Sequence, residues 1–130
     1  MPLAVEVTPG QQHESTCFET VLRAVRIGRR WYRPATVAGD KGYSMPRIRD
    51  WLHRHALRAV IPQKANERPL PGPLDQQTYR RRSVIEPCVG WLKECRRVAT
   101  RFEKYAVNFA SMVKLAIIER YLQNELPDTA

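Results

Sequence analysis

No apolar run in this 130-residue chain is long enough to span a membrane, and the N-terminus lacks the basic-then-apolar pattern of a secretory signal. A soluble, intracellular (cytoplasmic) protein with no membrane partner is therefore expected. Cysteine is scarce: Cys17, Cys88 and Cys95 are the three thiols, and no two form a Cys-x-x-Cys pair. That rules out a disulfide-framework reading and leaves reduced, mostly buried thiols as the expectation. The histidines are equally few. His53 and His55 are two positions apart, so on a helix they diverge by roughly 200°, and His13 is distant in sequence. None has zinc-ligand spacing. Internal repeats and low-complexity segments are absent. Acidic residues are in short supply too, with 13 Asp and Glu against 22 Lys and Arg.

That last shortage is informative. The net charge is +9 and the isoelectric point near 10.0, a balance that attracts polyanions, of which nucleic acid is the commonest in a cell. The charge is also uneven. Residues 1–22 carry three Glu and no Lys or Arg; residues 23–55 carry nine basic and two acidic residues; residues 79–104 carry eight and three. The plainer alternative is a solvated surface with surplus arginine. Hydrophobic residues at 43% suffice for a packed core, charged residues at 27% are near the soluble average, and the length suits one domain or a large piece of one.

Periodicity divides the chain. "PLAVEV" (2–7) reads as a strand. Phe18, Val21, Leu22 and Val25 repeat at helical spacing behind a Thr16/Glu19 capping box, which predicts a helix over about 15–27 stopped by Gly28. "RRWYRP" reads as a connector, and "ATVAG" (35–39) as a short, fully buried strand. Ser44 can cap and Pro46 can open a helix over about 46–55, with Ile48, Trp51, Leu52 and His55 on one face. "RAVIP" gives a second strand, parallel to the first. Residues 63–78 read as a long surface loop. Residues 79–104 are basic and helical for much of their length. Pro87 either sits in the first turn of a helix starting near Glu86 or kinks a longer one. Residues 105–124 are apolar around most of a helix circumference, which predicts burial. The tail 127–130 is expected to be disordered.

Two constellations can carry chemistry. Asp40 stands at the carboxyl end of a strand, where α/β sheets gather ligands. A carboxylate there can bind a hard divalent cation, or it can serve as a turn aspartate. Farther along, Tyr79-x2-Arg82-x3-Glu86-x6-Lys93 would put a phenol, a guanidinium, a carboxylate and an ammonium on one face of a continuous α-helix. Spacing alone fits an exposed, salt-bridged stripe equally well.

The second constellation resembles the Tyr–Arg–Glu–Lys signature of bacterial insertion-sequence transposases of the DDE type. "AGDKGYS" resembles the segment around the second catalytic aspartate of those proteins. "TPGQQHES", "AVIPQKAN" and "CRRVATRFEKYAVNFASMVKLA" are similar to their counterparts, in the same order, so the resemblance covers nearly the whole chain. It implies an α/β fold: an incomplete RNase H-like domain over residues 1–126, with short central strands flanked by helices. It also implies metal-dependent cleavage and strand transfer of DNA at transposon ends, with carboxylates around two Mg²⁺ ions about 3.5–4 Å apart. Asp40 would be the second carboxylate and Glu86 the third. Tyr79, Arg82 and Lys93 would contact DNA or its phosphates, with Arg80, Arg81, Arg96, Arg97 and Arg101 extending that surface.

Two departures qualify the resemblance. Nothing here matches the family's first catalytic aspartate, so the sequence looks like a C-terminal piece or second reading frame. Its expected partners are DNA, the N-terminal half of the transposase and further copies of itself. Pro87 stands where the family often has arginine after the glutamate. A non-catalytic DNA-binding or regulatory module derived from a transposase is the alternative.

Overall fold

Pro46 opens a helix because its ring pre-sets a helical φ and its missing N–H belongs to a first turn that would leave it unpaired. The computed structural model describes residues 2–125. Within these, residues 11–83 form one compact unit, and residues 2–10 with 84–125 form another.

The unit of residues 11–83 starts with a 3-10 turn, Glu14–Cys17. His13 caps it, its Nδ1 accepting the Ser15 N–H at 3.2 Å. Helix α1, Phe18–Ala24, follows. The predicted capping box does not form, because Thr16 Oγ1 turns back and donates to the His13 carbonyl at 2.7 Å. Nor does the helix reach residue 27. Val25 is extended (φ −66°, ψ 117°) and leads into an antiparallel hairpin of β1, Arg26–Ile27, and β2, Arg30–Trp31. Gly28, at φ +62°, occupies the hairpin turn rather than a helix end, in the position where strand twist favours a left-handed residue.

Strand β3, Thr36–Ala38, pairs in parallel with β4, Arg58–Val60, with Thr36 opposite Arg58 and Ala38 opposite Val60. Helix α2, Pro46–Arg54, connects them. This agrees with the sequence expectation, except that β3 is only half-buried: a two-stranded ladder leaves part of each strand uncovered. Ile48, Trp51 and Leu52 on α2 are 0–1% exposed and pack with Phe18, Leu57 and Ile61. Each such side chain contributes about 1.5–3 kcal/mol relative to exposure. The helix ends in a Schellman turn. Ala56 is left-handed (φ +50°) and the Leu57 N–H bonds the Leu52 carbonyl at 2.9 Å. That backbone bond joins two residues that also meet in the core.

Ser44 is not the cap of α2; Met45 holds that position without a side-chain bond. The buried Ser44 hydroxyl lies 2.5 Å from a Glu67 carboxylate oxygen and 2.9 Å from the Lys41 carbonyl, so its one proton serves two acceptors. Glu67 also accepts the Lys64 N–H at 3.2 Å. Asp75 caps α3, Gln76–Arg80, by accepting from Thr78 N–H at 2.9 Å.

Both carboxyls are held below their ordinary range, Glu67 chiefly by the Ser44 hydroxyl and Asp75 chiefly by Thr78. A depressed folded-state value means stability that is fully present above the unfolded value and lost as pH falls through the folded one. Urea midpoints should therefore fall on acidification below about pH 4.5, the usual carboxylate range. A Glu67→Gln/Asp75→Asn double variant should show a shallower acid slope; an unchanged slope would show that the two carboxyls do not contribute.

In the second unit, residues 2–7 pair with no strand, so the predicted "PLAVEV" strand does not form. An extended segment is a strand only when a ladder satisfies its backbone. Here the Pro2 carbonyl instead accepts from the Tyr121 hydroxyl at 2.9 Å. The helices are α4, Ile85–Glu94; α5, Arg96–Ala99; and α6, Ala106–Glu125. Pro87 is the third residue of α4, in a first turn whose N–H groups have no partner within the helix, so it starts this helix rather than kinking it. Cys95 is extended (φ −69°, ψ 103°) and separates α4 from α5. Helix α6 corrects the expectation of all-round burial. Val113, Ala116 and Ile117 are buried, while Val107, Leu115, Ile118 and Leu122 are exposed. The tail at 127–130 lies outside the described residues.

Candidate metal and DNA-binding site

The Gly39 N–H bonds the Val60 carbonyl at 3.2 Å and carries the β3 ladder one residue further. Asp40 then caps a 3-10 turn, Lys41–Tyr43. Its Oδ1 accepts the Gly42 N–H at 2.8 Å. A Cβ on Gly42 would lie 2.9 Å from that oxygen, closer than non-bonded atoms tolerate. A side chain at residue 42 would therefore have to displace the Asp40 carboxylate from this position. Among the described residues, Oδ2 has no protein donor. The turn and ligand readings of Asp40 are therefore compatible, since each uses a different oxygen.

Three neighbours of the turn, Tyr43, Glu14 and His13, stand in no chemical motif of the sequence. Burial, followed by the negative charges of Glu14 and Asp40, holds the Tyr43 phenol above its ordinary range. The His13 ring edge (Cε1) lies 3.9 Å from the point where a Gly42 Cβ would sit. The only sequence signal for Glu14 and His13 was their place within "TPGQQHES".

The Tyr79–Lys93 run does not form one α-helix. Tyr79 lies in α3, Arg82 in a 3-10 segment, Arg81–Val84, Glu86 in the first turn of α4, and Lys93 in its last. A 3-10 turn has three residues per turn, so the single α-helical stripe is not kept. Tyr79, Arg80, Arg81 and Arg82 belong to the unit of Asp40, and Glu86 and Lys93 to the other. Arg82 lies over the Tyr79 ring, 5.5 Å from its centroid, and its Nε is buried without a partner. Arg80 and Arg81 are exposed, as are Glu86 and Lys93. Glu86 and Lys93 are two turns apart on α4 and share its face.

Arg96 and Arg97 lie on α5, and Arg101 follows it. Arg97 pairs with Glu103 at 2.6 Å on the surface, a pairing worth no more than about 1 kcal/mol. It therefore does little to withhold Arg97 from another anion. The carboxylates of Asp40 and Glu86 suit a hard, oxygen-ligated cation. Among the described residues, no three His, Cys, Asp or Glu side chains come together as a group able to hold a metal ion. Among the same residues, no helix is long and apolar enough to cross a membrane.

The family described as "Transposase DDE domain" matches residues 1–118. No curated protein and no solved structure matches the chain. Such domains act on DNA and generally use divalent metals, in keeping with the basic surface and the carboxylate at the end of β3. This chain belongs to the transposase DDE-domain family.

Proposed function

We propose that this chain serves DNA transposition through metal-dependent phosphodiester cleavage and strand transfer at transposon ends, as part of an RNase H-like catalytic domain over residues 1–126. The observation that carries this reading is Asp40. It follows a strand in a parallel pair, with one oxygen committed to its turn and the other without a protein donor among the described residues. Asp40 and Glu86 would hold Mg²⁺. When bound, the ions supply activation of the attacking oxygen and charge stabilisation at the leaving one.

The protein's own part is positioning. The Gly42 N–H fixes the Asp40 carboxylate. Arg82 is a planar phosphate fork and Lys93 a point charge, and Tyr79 supports Arg82 from its ring face. Arg80, Arg81, Arg96, Arg97 and Arg101 extend the phosphate-binding surface, fixing DNA without reading its sequence.

A third carboxylate would come from outside this set, from the N-terminal half of the transposase or another copy. The basic surplus of the chain also fits a second reading, a non-catalytic DNA-binding or regulatory module. Mn²⁺ titration of the isotope-labelled chain separates the two. Paramagnetic broadening should begin at the amides of residues 39–43 and 85–87, and Asp40→Asn should abolish the first set. Broadening elsewhere only, or unchanged in Asp40→Asn, would remove Asp40 as a ligand. The purified chain alone is expected not to nick duplex DNA in Mg²⁺. Nicking lost in Asp40→Ala would show that no third carboxylate is needed.

A further inference from the structure

The segment Thr100–Tyr105 has features that a duplex-phosphate surface does not need. It leaves α5 through a Schellman turn: the Phe102 N–H bonds the Arg97 carbonyl at 3.2 Å and the Arg101 N–H bonds the Val98 carbonyl at 3.2 Å. The left-handed position of such a turn is normally glycine, yet Arg101 occupies it at φ +48°. The turn usually closes on an apolar contact. Here Arg97 stacks over the Phe102 ring instead, 4.9 Å from its centroid.

Phe102 is still 65% exposed with that cation over it, and Tyr105 is 73% exposed. Two aromatic rings are thus held out of any core. Phe102 follows Arg101 and Tyr105 follows Lys104, with Glu103 between them paired to Arg97 at 2.6 Å, and Arg96 and Arg97 precede them. Arg96, Arg97, Thr100 and Phe102 line an open depression of about 430 Å³.

Resting on the reading of this surface as DNA-binding, we infer that residues 96–105 form a stacking platform for unpaired nucleotides, that is, single-stranded DNA. Charge complementarity identifies the polyanion: the cations track its backbone. The exposed rings identify its state, because a base can stack on a side chain only once its face is free of its neighbours in a duplex. In a duplex those faces are occupied, so Phe102 and Tyr105 would have no role. Arg101 in the left-handed position fits this use. The backbone there tolerates strain that glycine would avoid, and it keeps a cation in the segment, with the Arg101 guanidinium 5.5 Å from the Phe109 ring.

The test uses the full chain and a fluorescein-labelled 20-mer of thymidine, with a labelled mixed-sequence duplex of equal length for comparison, each over a salt series. Phe102→Ala and Tyr105→Ala should each weaken single-strand binding roughly tenfold without changing the salt slope, since a stacking contact releases no counterion. Phe102→Tyr should keep the wild-type affinity, and duplex binding should not move. Arg101→Gly should hold or raise the unfolding midpoint while lowering the single-strand salt slope by about 0.7. The inference is overturned if Phe102→Ala and Tyr105→Ala leave single-strand binding unchanged, or weaken both probes equally, while a salt-dependent affinity for DNA persists. If the chain binds neither probe, the DNA-binding reading itself fails and the platform with it.

Discussion

Trp51→Ala should unfold most of the unit formed by residues 11–83. Trp51 is 1% exposed, stacks on His55 with ring centroids 3.9 Å apart, and meets Phe18 edge-on at 6.0 Å. Removing a buried indole costs roughly 3–5 kcal/mol in lost transfer energy and residual cavity. A small domain has only about 5–15 kcal/mol in total. Trp51 sits on α2, between the two parallel strands in sequence, so the same change should also abolish Mn²⁺ broadening at residues 39–43.

Trp51→Phe gives a graded comparison. The indole Nε1 is buried without a hydrogen-bond partner, and a group left in that state costs about 1–3 kcal/mol. Phenylalanine removes that liability and keeps much of the volume, so its loss should be clearly smaller than alanine's. Urea unfolding followed by circular dichroism measures both. An alanine variant within about 1 kcal/mol of the wild type would mean that this core tolerates collapse, and that Trp51 does not anchor it.

DNA affinity should fall by about 10³- to 10⁵-fold between about 50 and about 200 mM salt, if six or more of the proposed basic groups touch phosphate. Duplex affinity measured across that range gives the slope. Arg82→Ala and Lys93→Ala should each make it shallower by about 0.9, the counterion share of one phosphate contact. Arg82 should show a second effect that Lys93 does not. Its guanidinium lies over Tyr79, so Tyr79→Ala should weaken binding without changing the slope. A flat salt dependence, or slopes unchanged in both variants, would return these side chains to the status of a solvated stripe.

Some of the candidate site was legible in the sequence because its determinants are local. Three apolar residues followed by Asp-Lys-Gly specify a strand end and a turn whose carboxylate bonds an amide two residues on, close above Gly42. Pro46 marks a helix start from its own ring. Ile48, Trp51 and Leu52, at helical spacing, mark the buried face of α2. Two short apolar runs separated by a helix imply a parallel pair, and the pair is there.

The errors arose where distant partners decide. "PLAVEV" has strand composition, but residues 2–7 take no strand pairing within their own unit. The 15–27 pattern was helical, yet extended backbone at Val25 and pairing of Arg26 with Trp31 end the helix after Ala24. The Tyr79–Lys93 spacing assumed one α-helix, and a 3-10 segment interrupts its phase.

By itself, then, the sequence determined the family, the Asp40 turn and the parallel pair on either side of α2, since each depends on residues close together in the chain or on motifs in fixed order. Tertiary structure alone decided three other things. It left Asp40 Oδ2 without a protein donor among the described residues. It tied the loop after β4 to the Asp40 turn through Ser44 and Glu67, which are 23 residues apart. It held Phe102 and Tyr105 out of the core. Hydrogen bonding and burial depend on which groups meet in space, and spacing along a chain does not specify that.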